Sequence, residues 1–217
     1  RLCEGFLFLL SHLSPLDRKE LSDSMGNKNT KAQEIELLQT REIKICLVGA
    51  RGVGKTTMMH QFASGKFVDN VPELEEPKMK KTEFGGVKVN LELTDTSGTG
   101  DFGTVDDLKI RQSDGILVVF SVDSQASFDM IPGFMTRIRY MERKEDLPVF
   151  CVANKSDLED RAVDAEWTSR IGEFNFANHF ETSNKQDESV TDVIDALVQL
   201  TLVNSNQPVA PTIKKAG

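Results

Sequence analysis

The stretch Gly49-Ala50-Arg51-Gly52-Val53-Gly54-Lys55-Thr56 follows directly on an apolar run at 43–48. It fits the pattern G-x-x-x-x-G-K-[ST] between a strand and a helix, the setting that pattern requires. Its glycines let the backbone turn tightly and aim successive N–H groups inward. Those donors and the positive end of the following helix stabilise phosphate. Lys55 reaches the outer phosphates, and the Thr56 hydroxyl is a ligand for Mg²⁺. Gly49, Gly52, Val53, Gly54, Lys55, Thr56 and Thr57 are the expected contacts on the phosphate side. An ordinary glycine turn is the competing reading; strand, motif and helix together argue against it.

Three later stretches bear on which nucleotide is held. Asp95-Thr96-Ser97-Gly98 ends an alternating strand. It places a carboxylate where Mg²⁺ would sit and a glycine whose N–H can meet a γ-phosphate. Asn154-Lys155-Ser156-Asp157 follows the apolar run 149–153. The Asp157 carboxylate can accept from both N1–H and the 2-amino group of guanine. Adenine lacks that donor pair, and a base that leaves a buried acceptor unpaired is disfavoured. Lys155 is expected along the base ring. In Glu181-Thr182-Ser183-Asn184-Lys185, Ser183 and Asn184 are expected to support the base and Asp157, and Lys185 completes the contact set. Each stretch is weak evidence alone. Together they fall in order at the C-terminal ends of expected strands, where open α/β sheets bind ligands.

The elements that must position these residues alternate. Residues 43–48 read as a continuous apolar strand and 56–64 as a helix; 66–77 read as a loop with two prolines. Residues 80–84 and 87–94 read as a hairpin around Gly85-Gly86, the second strand with Val87, Val89, Leu91 and Leu93 on one face. The runs 116–122 and 149–153 have the character of buried parallel strands. Phe128, Ile131, Met135, Ile138 and Met141 mark a helix face, 164–174 another helix, 179–182 a last strand, and Val190, Val193, Ile194, Leu197 and Val198 a final helix. Such alternation implies a three-layer α/β fold on a mostly parallel sheet. Residues 1–41 are expected to be an irregular extension, with a short helix around 34–39. Residues 42–203 form the domain, and 204–217 a loose tail.

Composition agrees. The 217 residues suffice for one domain, 39% hydrophobic and 28% charged, and the net charge of −8 argues against a nucleic-acid partner. Cys46 and Cys151 fall in expected central strands and read as buried reduced thiols, which suits a cytoplasmic protein. No stretch approaches the roughly 18–20 apolar residues that span a bilayer. The lead 2–10 contains Glu4 and reads as a poor signal peptide. His12, His60 and His179 have no ligand spacing, and Trp167 reads as packing.

Over 43–203 the chain resembles Ras-type small GTPases, with the phosphate loop, DTSG, NKSD and ETSNK as the matching motifs. The separations Asp95 to Asn154 (154 − 95 = 59) and Asn154 to Ser183 (183 − 154 = 29) are similar to those of Ras itself. SFDMI at 127–131 and ETSNK read closer to the Ras branch than to Rho or Arf. The resemblance implies a six-stranded P-loop GTPase fold and a GTP/GDP switch with Mg²⁺, held by Thr56 and Asp95. It also implies protein effectors, an exchange factor and an activating protein. The segment KFVDN at 66–70 carries over Phe67 as a packing contact on the guanine edge. A monomer is expected.

Three departures surround the γ-phosphate. Arg51 falls where such domains commonly carry glycine. Its side chain either crowds the attacking water or acts in cis as an arginine finger; the resemblance favours crowding. Thr99 stands at the position of the water-orienting glutamine; the Rap branch also has threonine there and relies on a partner. The switch threonine is expected near Leu74, but 71–77 contains none, and Thr82 lies eight positions on. Arg51, Thr99 and Lys55 are therefore the residues on which catalysis turns. The acidic cluster Glu73, Glu75 and Glu76 reads as a solvated loop, with a partner surface as the other reading.

Two function classes remain: a switch with slow, partner-dependent hydrolysis, and a pseudo-GTPase, a nucleotide-stabilised interaction module that does not cycle. A P-loop kinase has no use for NKSD. Attachment to membranes through a C-terminal cysteine is not expected, since none follows Cys151. Met25-Gly26-Asn27-Lys28-Asn29-Thr30 fits the N-myristoylation pattern M-G-x-x-x-[ST]. With Met25 as the start, acylation of Gly26 gives reversible membrane contact; chance occurrence of the pattern is the alternative.

Overall fold

A computed structural model describes residues 40–68, 71, 76–98, 104–141 and 147–205. The short helix expected around 34–39, the Met25–Thr30 stretch, the Glu73 and Glu75 positions, Leu74 and Thr99 lie outside the described residues.

The sheet has six strands in the order β2-β3-β1-β4-β5-β6. They are β1 (Thr40–Gly49), β2 (Lys78–Phe84), β3 (Val87–Asp95), β4 (Gly115–Ser121), β5 (Val149–Asn154) and β6 (Asn178–Glu181). The helices are α1 (Lys55–Ser64), α2 (Thr104–Gln112), α3 (Gln125–Asp129), α4 (Ile131–Met141), α5 (Trp167–Arg170) and α6 (Asp187–Asn204), with a 3₁₀ turn at Gly172–Phe174. β1–β4, β4–β5 and β5–β6 pair in parallel, β2–β3 antiparallel. The Thr94 hydroxyl and the Thr96 N–H meet the carbonyls of Ile45 and Leu47 in rising order, so β3 runs with β1. The fold is the three-layer, mostly parallel α/β architecture that strand–helix alternation implies.

The central strands are apolar throughout because each of their faces has its own core. In β1, Ile45 and Leu47 enter one cluster with Met58, Met59 and Phe62 of α1 and Ile194, Leu197 and Val198 of α6. Cys46 and Val48 enter the other with Phe134, Met135 and Ile138 of α4 and Trp167 of α5. β4 and β5 divide in the same way, and doubly covered parallel strands read as uninterrupted hydrophobic runs. Burial pushes the Cys46 thiol up to about 12 and the Cys151 thiol upward too, so both are inert protonated core residues. The β2–β3 hairpin turns at Gly85 and Gly86, both in the left-handed region at φ 55° and 85°.

Three expectations need correction. The helix face from Phe128 to Met141 belongs to two helices, because the chain turns between Asp129 and Ile131; Pro132 falls in the first turn of α4, where its missing N–H costs nothing. Residues 164–174 hold one α-helical turn and a 3₁₀ turn rather than a full helix. Val163, Trp167 and Ile171 are nonetheless buried together. Helix α2 was not expected at all. Its inward residues include the polar Asp106, while Leu108 is 53% exposed, which inverts the apolar pattern that would reveal a helix.

Candidate functional site

Because the strands other than β2 run in one direction, β1, β3, β4, β5 and β6 all end at the same edge. The motifs occupy that edge. Between β1 and α1, Gly52 (φ 80°) and Gly54 (φ 98°) take left-handed conformations that a side chain would strain. At Gly49 the reason for glycine is contact rather than torsion: a Cβ there would stand 2.1 Å from the Val119 carbonyl oxygen. Gly54 caps α1 and, having no side chain, gives the helix's first N–H groups no cap hydrogen bond.

Lys55 is 5% exposed, and its Nζ donates to the carbonyls of Gly49 (2.9 Å) and Ala50 (3.0 Å). The Thr56 hydroxyl donates to Asp95 Oδ2 at 2.6 Å. Asp95 Oδ1 is buried without a hydrogen bond and lies 3.8 Å from Lys55 Nζ. Desolvation holds the Asp95 carboxyl above the ordinary range, against the opposing pull of Lys55 and Thr56. A buried carboxylate with an orphaned oxygen beside a hydroxyl is a donor set that calls for further positive charge, and hard divalent cations with oxygen preference fit it. Residues Thr56 and Asp95 therefore suit Mg²⁺. Lys109 Nζ steadies the segment by donating to the Asp95 carbonyl at 2.6 Å. Asp106 accepts from both the Ser97 N–H (3.3 Å) and its hydroxyl (2.7 Å). A Cβ on Gly98 (φ 70°) would stand 2.8 Å from Lys55 Nζ and 2.9 Å from the Arg51 nitrogen, so this glycine lies directly on the phosphate loop. The Arg51 residue is exposed at the loop's mouth.

On the other side, the Asp157 carboxylate accepts from Ser183 Oγ at 2.6 Å and Lys185 Nζ at 2.8 Å. Those two bonds, Lys185 first, hold its carboxyl below the usual range, so Asp157 is a fixed anion. Lys155 sits at φ 63°, unusual for a residue with a side chain, and its Nζ pairs with Asp123 at 3.1 Å. Ser156 N–H donates to the Thr182 carbonyl and Thr182 N–H to that of Ala153, which ties the two loops together. Asn154 is fully buried; its Nδ2 donates to the Val53 carbonyl at 2.8 Å, and its Oδ1 accepts from Thr182 Oγ1 at 3.2 Å. The Ser183 hydroxyl thus rests on Asp157. Asn184 does not: its Nδ2 donates to the Gly54 carbonyl at 2.9 Å, on the phosphate loop. Val53 is buried, Thr57 half-buried on α1, and Phe67 half-buried just beyond it.

The model of the Ras family matches residues 44–202. The chain belongs to the Ras family. Among its relatives, the Ras-like protein RAS2 of Hydra vulgaris is 34% identical over 177 residues, covering 81% of this chain and 92% of that protein. The Ras-related protein R-Ras of Homo sapiens is 31% identical over 171 residues, 78% of each chain. This Ras-family chain is a Ras-like small GTPase, and such proteins in general bind GTP or GDP with Mg²⁺, hydrolyse GTP, and act with regulators and effectors.

Sequence reasoning missed several supports of this Ras-family site. Asp123 and Asp106 lie outside any motif, and only the fold brings them to Lys155 and Ser97. Glu181, the first residue of ETSNK, accepts from Arg161 (3.0 Å) and from the indole N–H of Trp167 (3.1 Å). Arg161 also donates to the Ser156 carbonyl at 3.3 Å, a second link between the base-side loops. Among the described residues no helix is long and apolar enough to cross a membrane.

Proposed function

We propose that this chain is a guanine-nucleotide switch whose intrinsic hydrolysis is slow and depends on an activating partner. The observation that supports it best is Asp157: an anion fixed by Ser183 and Lys185, standing at the same sheet edge as Lys55, Thr56 and Asp95. Asp157 takes the guanine N1–H and 2-amino group, with Lys155 along the ring, Phe67 on its edge, Ser183 and Lys185 holding the carboxylate, and Asn184 between them on the Gly54 carbonyl. The N–H groups of the 49–57 loop take the phosphates, and Lys55 exchanges its two carbonyl partners for phosphate oxygens. Thr56 and Asp95 hold Mg²⁺, which when bound neutralises charge on the phosphates. Gly98 N–H faces the γ-phosphate. Lys55 neutralises charge there, while Arg51 stands in place of a glycine and crowds the attacking water, and Thr99 replaces the glutamine that would orient it.

A pseudo-GTPase is the second reading, favoured by the same Arg51 and Thr99 and by the absence of threonine from 71–77. Hydrolysis in a single turnover separates the two.

Lys55→Ala tests the site as a whole. A ligand that binds only the folded state stabilises it by about 2.7 kcal/mol at a hundredfold excess over Kd. GDP with Mg²⁺ should therefore raise the melting temperature of the wild type by several degrees and that of Lys55→Ala or Thr56→Asn by clearly less. Equal shifts in all three proteins would remove the loop assignment.

Membrane contact is proposed through N-myristoylation of Gly26 where translation starts at Met25. One such chain binds only marginally, so contact is reversible and needs a second signal. Intact mass of the protein from its own cells should show an acylated Gly26; an unmodified one ends the idea.

A further inference from the structure

Two carboxamides from the base side of the site end on the phosphate loop. Asn154 Nδ2 donates to the carbonyl of Val53 and Asn184 Nδ2 to that of Gly54, the two carbonyls immediately before Lys55. Gly54 is also the cap of α1, so its orientation sets where the first N–H groups of that helix point. The fit is close: a Cβ on Gly54 would stand 2.4 Å from Asn154 Nδ2 and 2.8 Å from Asn184 Nδ2.

The two amides are held differently. Asn154 is fixed at both ends, since Thr182 Oγ1 occupies its oxygen. Asn184 is 6% exposed, yet its Oδ1 is buried with no hydrogen bond. Burying an amide oxygen without a partner is unfavourable. A smaller apolar side chain would avoid that cost, and the bond to Gly54 is what the amide supplies in return. Its sequence neighbours face the other way: Ser183 Oγ and Lys185 Nζ both hold Asp157. Three successive residues thus divide between the base carboxylate and the phosphate loop.

We infer that Asn184 is a positioning residue that couples the base side to the phosphate grip by holding the Gly54 carbonyl. The inference rests on the guanine-nucleotide reading above. It makes phosphate binding, and not base binding, the property that Asn184 controls.

The test uses the full chain and two ligands that share a base, GDP and guanosine, in competition with a fluorescent guanine nucleotide. Asn184→Ala should weaken GDP about tenfold, the scale of one lost hydrogen bond. Asn184→Asp keeps the shape but places an oxygen against the Gly54 carbonyl, and should weaken GDP further. Guanosine affinity should stay within about twofold in both variants, because no phosphate is there to lose. The melting temperature of each variant without nucleotide shows that it is folded, and the Asp variant serves if Ala is not. Equal losses for GDP and guanosine, or no loss of GDP affinity, would overturn the coupling while leaving the guanine reading intact. A wild type that binds neither ligand overturns both.

Discussion

Asp157→Asn should exchange guanine for xanthine as the preferred base. The carboxylate offers two acceptors, and guanine offers two donors. Asparagine keeps one acceptor and presents an NH₂ where the 2-amino group arrives, so guanine loses one bond and meets a donor with a donor. Xanthine carries a carbonyl there and gains the bond. Hydrogen bonds to a charged group contribute about 1.5–3 kcal/mol each, so GDP affinity should fall roughly a hundredfold. The loss of the Lys185 pairing adds little, because Lys185 is more than half exposed and solvent replaces the carboxylate. The sign of the pH dependence follows from the lowered carboxyl. A depressed folded-state pKa contributes stability above the unfolded value and loses it as pH falls through the folded one. Guanine preference should therefore persist into mildly acidic solution. Competition titrations with GDP, XDP and ADP decide it, and equal affinity of the wild type for ADP and GDP would end the guanine assignment.

What could be read in the sequence follows from how locally each feature is determined. A strand buried on both faces must be apolar at every position, so β1, β4 and β5 announce themselves. The phosphate loop is legible because glycine, lysine and threonine there answer to torsion and charge within eight residues. Helix α2 is not, because its buried member Asp106 is polar and held by Ser97, nine residues before it, while its Leu108 is exposed. Asp123 likewise has meaning only once β4 and β5 pair in register at Ser121 and Asn154 and bring it beside Lys155. The Asn184 bond to Gly54 is not legible either: a side chain that reaches a residue 130 positions away leaves no trace in its own motif.

Arg51→Gly combined with Thr99→Gln should speed GTP hydrolysis. Unassisted Ras turns over at about 3–5 × 10⁻⁴ s⁻¹, and the wild-type chain is expected at or below the order of 10⁻⁴ s⁻¹. The geometry supplies the reason. Gly98 packs so closely on the phosphate loop that its missing Cβ would stand 2.9 Å from the Arg51 nitrogen. Thr99 is the next residue along the chain. The residue before Thr99 thus lies on the loop that carries Arg51, and Arg51 is exposed there. Removing the arginine clears space for water; adding the glutamine amide gives that water an orienting partner. Neither change alone does both, so the double variant should exceed the sum of the single effects. The gain has a ceiling, because no threonine in 71–77 is there to close over the nucleotide. Single-turnover hydrolysis of preloaded GTP reads all four proteins. A wild type that already turns over well above 10⁻⁴ s⁻¹ and slows when Arg51 is removed would show the guanidinium stabilising transition-state charge in cis, as an arginine finger does. Hydrolysis absent from every variant would instead favour the pseudo-GTPase, whose nucleotide stabilises a surface and is not consumed.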